Sequence, residues 1–190
     1  MLDAIYSGLR CELLDPIMAG LSYFASKGIG WIILSLILLI PKKTRAAGAI
    51  ALAALLICFV SGELITKNLI CRIRPYHVYE QFHGATMPFL LNAGAESGYS
   101  FPSGHTSCSF ACAVAYFKID KRVGIITLIF AALIGFSRLY NYVHFLTDVF
   151  AGMLWGIASG LLAMWIFKKL SIEDKIIKIG TKMGENYGKT

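Results

Sequence analysis

The sequence predicts an all-α fold, a six-helix transmembrane bundle. Three observations lead there. Hydrophobic residues make up 57% of the 190 positions and charged residues only 15%, with a mean hydropathy of +0.66, too apolar for an ordinary water-soluble domain. The apolar residues fall in long runs, at 31–40, 46–65, 110–117, 123–136 and 149–167, with the charges clustered between them. Several runs are shorter than the ~20 residues of a lone crossing, which favours a bundle with short or tilted spans over isolated anchors. The length sets a single membrane domain over 1–170, followed by a basic tail over 171–190.

The helices are expected over 12–27, 29–41, 46–70, 104–117, 122–139 and 145–169. Gly28 and Gly30 punctuate the first two, and Pro41-Lys42-Lys43 closes the second. Pro75 stops the third, because its ring removes a backbone hydrogen bond and clashes with the preceding turn. The long connection 76–101 carries Gly84, Pro88, Gly94 and Gly98 and is long enough to cap a site. Within it His77 and His83 read as solvated. The apolar stretch 87–91 either touches lipid chains or packs inside the loop. Beyond the sixth helix, Ile172, Ile176, Ile179 and Met183 form a stripe with Lys175, Lys178 and Lys182 away from it. That pattern fits a basic amphipathic helix on an anionic cytoplasmic leaflet, or a solvated tail.

Charge orients the bundle. Lys42, Lys43 and Arg45 lie between the second and third helices, Lys118, Lys121 and Arg122 between the fourth and fifth, and Lys168 and Lys169 after the sixth. With six crossings these groups share one face, which the excess of basic residues in cytoplasmic loops assigns to the cytoplasm. Residues 1–10 lack the basic start, apolar core and small-residue cleavage site of a secretory signal. The five cysteines, Cys11, Cys58, Cys71, Cys108 and Cys112, contain no CxxC pair, and all five are expected to be small packing residues.

Three patches far apart in sequence carry the chemistry: Lys67-x6-Arg74-Pro75, Pro102-Ser103-Gly104-His105 and Ser137-Arg138-x5-His144-x3-Asp148. All fall on the face opposite the basic clusters, at the extracytoplasmic end. Together they supply three cations, two histidines, a carboxylate and a glycine turn, the requirements of phosphoryl transfer through histidine. His144 and Asp148, four residues apart, share a helix face. A carboxylate on one ring nitrogen fixes the tautomer and leaves the other free to attack as the nucleophile. Taken alone, the pair also reads as a capping Asp beside a packing His. Lys67 and Arg74 are two helical turns apart and, with Arg138, can cradle the oxygens of a transferring phosphoryl group. Singly, such residues also snorkel from helix ends. Ser103 is placed to cap the fourth helix, Gly104 lets an anion approach the backbone, and His105 is placed to protonate a leaving oxygen as general acid. Glu63, one turn before Lys67, either tunes that lysine or is a structural ion pair with it. No cluster of carboxylates argues for a divalent metal or other cofactor.

These patches resemble the three-part signature of the type 2 phosphatidic acid phosphatase superfamily, KxxxxxxRP, PSGH and SRxxxxxHxxxD, and every signature position is present. The resemblance implies a six-helix core and a phosphohistidine intermediate without metal. Lys67, Arg74 and Arg138 would bind phosphate and Ser103 and Gly104 would contact the oxyanion. His105 would be the acid, His144 the nucleophile and Asp148 its partner. Leu146 departs from the proline of many members. The implied activity is hydrolysis of a phosphomonoester or diphosphate lipid in the membrane, with undecaprenyl pyrophosphate favoured and the bacterial plasma membrane as the setting. Phosphatidic acid and phosphatidylglycerophosphate are the alternative substrates. Non-catalytic lipid-phosphate binding or transport is the alternative of another class. Membrane lipids are expected partners and nucleic acid is not.

Overall fold

The computed structural model describes residues 2–84, 98–172 and 176. Regular structure among them is entirely helical. A short α1 (Leu2–Gly8) precedes α2 (Leu14–Ala25) and α3 (Ile29–Leu38). α4 (Arg45–Cys58) runs on through a π-helical stretch, Phe59–Thr66, into α5 (Lys67–Ile70). The remaining helices are α6 (Pro75–His83), α7 (Gly104–Tyr116), α8 (Lys121–Tyr140) and α9 (Leu146–Lys169). Four runs are long and apolar enough to cross a membrane: Leu14–Leu38, Arg45–His83, Lys121–Tyr140 and Leu146–Lys169. Their outer faces carry large side chains such as Ile33, Ile126, Leu161 and Trp165, while Ala47, Ala54, Ala111 and Ala163 fill the interior. Large residues outside and small ones inside is the arrangement lipid favours, because helices there associate by close backbone packing.

α7 is the central helix, packed against α9, α8 and α4. Its seam with α9 is built on Gly152, Gly156 and Gly160. A Cβ at Gly152 would lie 2.7 Å from the Ser103 carbonyl, one at Gly156 would overlap the Ser107 carbonyl, and one at Gly160 would lie 2.8 Å from Val114 Cβ. The backbones meet only because these side chains are absent.

The expectation of two separate crossings over 12–27 and 29–41 is corrected. α2 descends along α8, from Asp15, which accepts from Tyr140 Oη at 2.7 Å, to Phe24, whose ring meets Phe130 at 5.4 Å. α3 then continues the same way along α7: Trp31 Nε1 donates to Ser109 Oγ at 2.9 Å, and Ser35 Oγ meets Tyr116 Oη at 2.9 Å. The two helices are halves of one kinked passage. The kink comes from consecutive left-handed residues, Lys27 (φ 51) and Gly28 (φ 72); glycine takes that conformation without steric cost. In consequence α1 sits at the end of the bundle that holds the sequence patches. Leu2 packs with Tyr76 and Val143, and Tyr142 Oη donates to Asp3 at 2.6 Å. Burial, followed by the Asp3 carboxylate, holds the Tyr142 phenol above its usual range.

The opposite end is closed by caps. Arg45 Nε donates to the Leu39 carbonyl at 2.7 Å and its Nη2 to that of Ile40 at 3.0 Å, satisfying the two carbonyls that follow α3. Asp120 accepts from the Arg122 amide at 2.6 Å to start α8. The expected helix over 46–70 is present but contains the π-helical stretch. The expectation that Pro75 stops the third helix is corrected: α5 already ends at Ile70, where Cys71 turns left-handed, and Pro75 begins α6, since proline suits the first helical turn, where the amide has no partner. His77 and His83 therefore lie on a helix rather than in a loop, with His83 stacked on Tyr79 at 4.1 Å. Of the tail stripe, Ile172 and Ile176 pack against the main core cluster; Ile179, Met183 and the three lysines, like 87–91, fall outside the described residues. Cys58 and Cys112 are buried as expected, but Cys11 and Cys71 are exposed. Cys11 lies in the link between α1 and α2, and Cys71 ends α5 in a left-handed conformation, φ 50.

Candidate active site

The patches meet at one end of the bundle. α9 opens there because Asp148 Oδ2 accepts from the Phe145 amide at 2.8 Å, closing the first turn. Leu146, where the resembled pattern has a proline, thus leaves the helix start intact. The same carboxylate lies 3.6 Å from His144 Nδ1, and both side chains are buried, at 0% and 1% exposure. Asp148 is therefore a cap and a histidine partner at once.

The other ring nitrogen faces a cation. Arg74 Nη1 approaches His144 Nε2 at 3.3 Å and donates to the Val143 carbonyl at 3.1 Å, while Arg74 Nε donates to the Gly98 carbonyl at 3.0 Å. A guanidinium only donates. Nε2 must therefore offer its lone pair, and the proton sits on Nδ1, toward Asp148. Arg138, 1% exposed, stands on the last turn of α8, and its carbonyl accepts from the Val143 amide at 3.2 Å. Arg74, Arg138, Asp148 and His144 are thus all buried at this end of the bundle.

The Pro102-Ser103-Gly104-His105 turn follows a cis Phe101–Pro102 bond. Its Ser103 amide donates to the Asp148 carbonyl at 3.1 Å, joining the second patch to the third. Ser103 holds the N-cap position of α7 without a side-chain cap bond, a correction to the expectation. Its Oγ instead accepts from Thr106 Oγ1 at 2.9 Å, and its carbonyl accepts from Ser107 Oγ at 3.0 Å. Lys67 reaches the same turn from α5: its Nζ would lie 3.9 Å from a Cβ at Gly104. His105 sits in the first turn of α7, half-buried, its carbonyl accepting from Ser109 Oγ at 2.7 Å.

Two residues at this centre lie outside the three sequence patches. Arg72 donates to Asp148 Oδ1 at 2.7 Å and to Thr147 Oγ1 at 2.6 Å, with its guanidinium 4.3 Å over the Phe145 ring. Ser100 Oγ donates to Asp148 Oδ2 and lies 3.4 Å from His144 Nδ1. In the sequence Arg72 stands out only by its charge: with Lys67, Arg74 and Arg138 it breaks the charge rule on the motif face, as catalytic cations would. Ser100, in the long connection, had no spacing to mark it.

Comparison with known proteins gives a consistent result. The profile of the PAP2 superfamily matches residues 42–172. An undecaprenyl-diphosphatase from Sulfolobus acidocaldarius is 31% identical over 154 residues, covering 80% of this chain and 70% of that protein. The bacitracin transport permease protein BcrC of Bacillus licheniformis is 31% identical, covering 67% and 61%. Among solved structures, Aquifex aeolicus LpxE superposes with a TM-score of 0.70 at 26% identity, covering 86% of this chain and 92% of that one. A PAP2-type phosphatidylglycerolphosphate phosphatase from Bacillus subtilis gives 0.68 at 26% identity, covering 88% and 83%.

Proposed function

Because the chain belongs to the PAP2 superfamily, and its relatives include an undecaprenyl-diphosphatase and a phosphatidylglycerolphosphate phosphatase, we propose that it hydrolyses a diphosphate lipid through a phosphohistidine, with undecaprenyl pyrophosphate the favoured substrate. The observation that carries this is the company of His144: Nδ1 against Asp148 and Ser100, Nε2 under Arg74. Nε2 attacks phosphorus, the P–O bond to the leaving group breaks, and His105 gives that oxygen a proton. Water then cleaves the P–N bond, losing a proton to the same histidine, and inorganic phosphate leaves. Arg74, Arg138 and Lys67 offset the charge on the non-bridging oxygens, with Ser103 and Gly104 contacting them, so the cations do the work a divalent metal does elsewhere.

The chain would cross the membrane five times: α2 with α3, then α4 through α5, α7, α8 and α9. Basic residues at the far end then make the active-site end extracytoplasmic, in the plasma membrane of a bacterium. The basic tail, 171–190, would lie at the inner leaflet, with Ile172 and Ile176 resting against the core.

Phosphatidic acid and phosphatidylglycerophosphate are the alternative substrates, the latter favoured by the Bacillus subtilis structure. The permease name of one relative favours non-catalytic lipid binding, which needs the cations but not a buried His–Asp pair. The deciding experiment is phosphate release by the purified protein in detergent from undecaprenyl pyrophosphate, its monophosphate and phosphatidic acid. Turnover should be fastest on the diphosphate, survive EDTA, fall with vanadate, and vanish in His144→Ala. Binding without release in the unaltered protein would leave the non-catalytic reading.

A further inference from the structure

We propose that Glu63 is an internal occupant of the phosphate cradle, a carboxylate seated where a phosphate oxygen belongs, which the ligand must displace. The inference rests on the phosphatase reading and adds a competitor to it. Both carboxylate oxygens lie on one ammonium group, Lys67 Nζ, at 2.7 and 2.8 Å. The same carboxylate lies on the backbone of Gly104: a Cβ there would overlap Oε1 and lie 3.2 Å from Cδ. Glu63 is thereby wedged between the lysine of the first patch and the glycine of the second, the two groups expected to receive phosphate from that side.

The seat is built. Glu63 belongs to the π-helical stretch, a winding that is rare and concentrated at functional sites. Its neighbours hold that stretch against the site: Trp155 Nε1 donates to Ser61 Oγ at 2.8 Å, and Gly62 is buried beside Trp155 and Pro102. The side chains differ in access. Lys67 is 12% exposed and Glu63 36%, so the carboxylate can swing toward water while the ammonium stays. A ligand that binds only the vacated form has its affinity reduced by the vacated fraction. Return of the carboxylate would likewise help to expel product phosphate.

Inhibition constants for orthovanadate and inorganic phosphate test this on the purified protein, comparing wild type, Glu63→Gln, Glu63→Asp and Lys67→Met. Occupancy predicts that Gln, which keeps the shape but loses the charge, tightens both ligands about tenfold. It predicts tightening by Asp as well, since the shorter acid keeps the charge but no longer reaches Gly104. Tightening by Gln with Asp at the wild-type value would reduce Glu63 to a through-space charge and overturn the proposal. Weaker or unchanged binding in Gln would make it a support for Lys67 and overturn it too. Lys67→Met should weaken both ligands. If the wild type neither releases phosphate nor binds vanadate, the phosphatase reading falls as well; if it does both and only the Glu63 variants disappoint, the occupant alone is lost.

Discussion

His144 keeps its two ring nitrogens in different company, and variants should separate the roles. His144→Ala should trap no covalent phosphate with any substrate. His105→Ala should recover part of its rate on a nitrophenyl phosphate, whose leaving group needs little proton donation, because only the acid is missing. A phosphoenzyme in the His144 variant would refute its assignment as nucleophile. Arg72 touches Asp148, not the reacting atoms, and acts by positioning. Arg72→Met should lower kcat by about tenfold with KM little changed, and Arg72→Lys should restore part of it; equal loss in both parameters would place Arg72 on the substrate. Spacing made the His144–Asp148 pair readable, since four residues on a helix put two side chains on one face. Arg72 and Ser100 reach Asp148 across 76 and 48 residues, through tertiary contacts that no local period records.

At the scale of elements, the seam between α7 and α9 depends on what glycine lacks. Gly156→Leu would drive a branched side chain into the Ser107 backbone and part the helices that carry His105 and Asp148. The purified variant should melt several degrees lower and lose most of its turnover, whereas Leu161→Ala on the lipid-facing side of α9 should leave the rate near wild type. Equal melting of Gly156→Leu and wild type would show that the seam yields. Helix positions were legible because apolar runs and Gly or Pro punctuation mark them. The kink at Lys27 and Gly28 was not, because a glycine announces a break without saying whether the chain turns back or carries on. Pro75 was misleading for a related reason: it marks a boundary without saying that the helix before it has already stopped at Ile70 and that it opens the one after.

For the whole molecule, the kinked first passage puts the N-terminal segment and the active site at one end. Cys11 and Cys71 are both exposed there. In backgrounds retaining one of them, each should react with an impermeant maleimide in intact cells. Cys11 labelled only after lysis would restore the six-crossing topology; both labelled only after lysis would reverse the bundle.

α7 has only 13 residues, about 20 Å of helix against the ~30 Å of a hydrocarbon core. It begins at the Ser103-Gly104 turn and ends beside the basic link at Lys118 and Lys121. With that link at the inner surface, the floor of the site is sunk about 10 Å beneath the outer one. A lipid headgroup must leave the water to be cleaved, or the surrounding bilayer must thin to bring the surface down to it. Turnover of one substrate should then fall as the acyl chains of the reconstituted membrane lengthen from 14 to about 22 carbons. A rate indifferent to thickness would mean that the site has its own aqueous shaft.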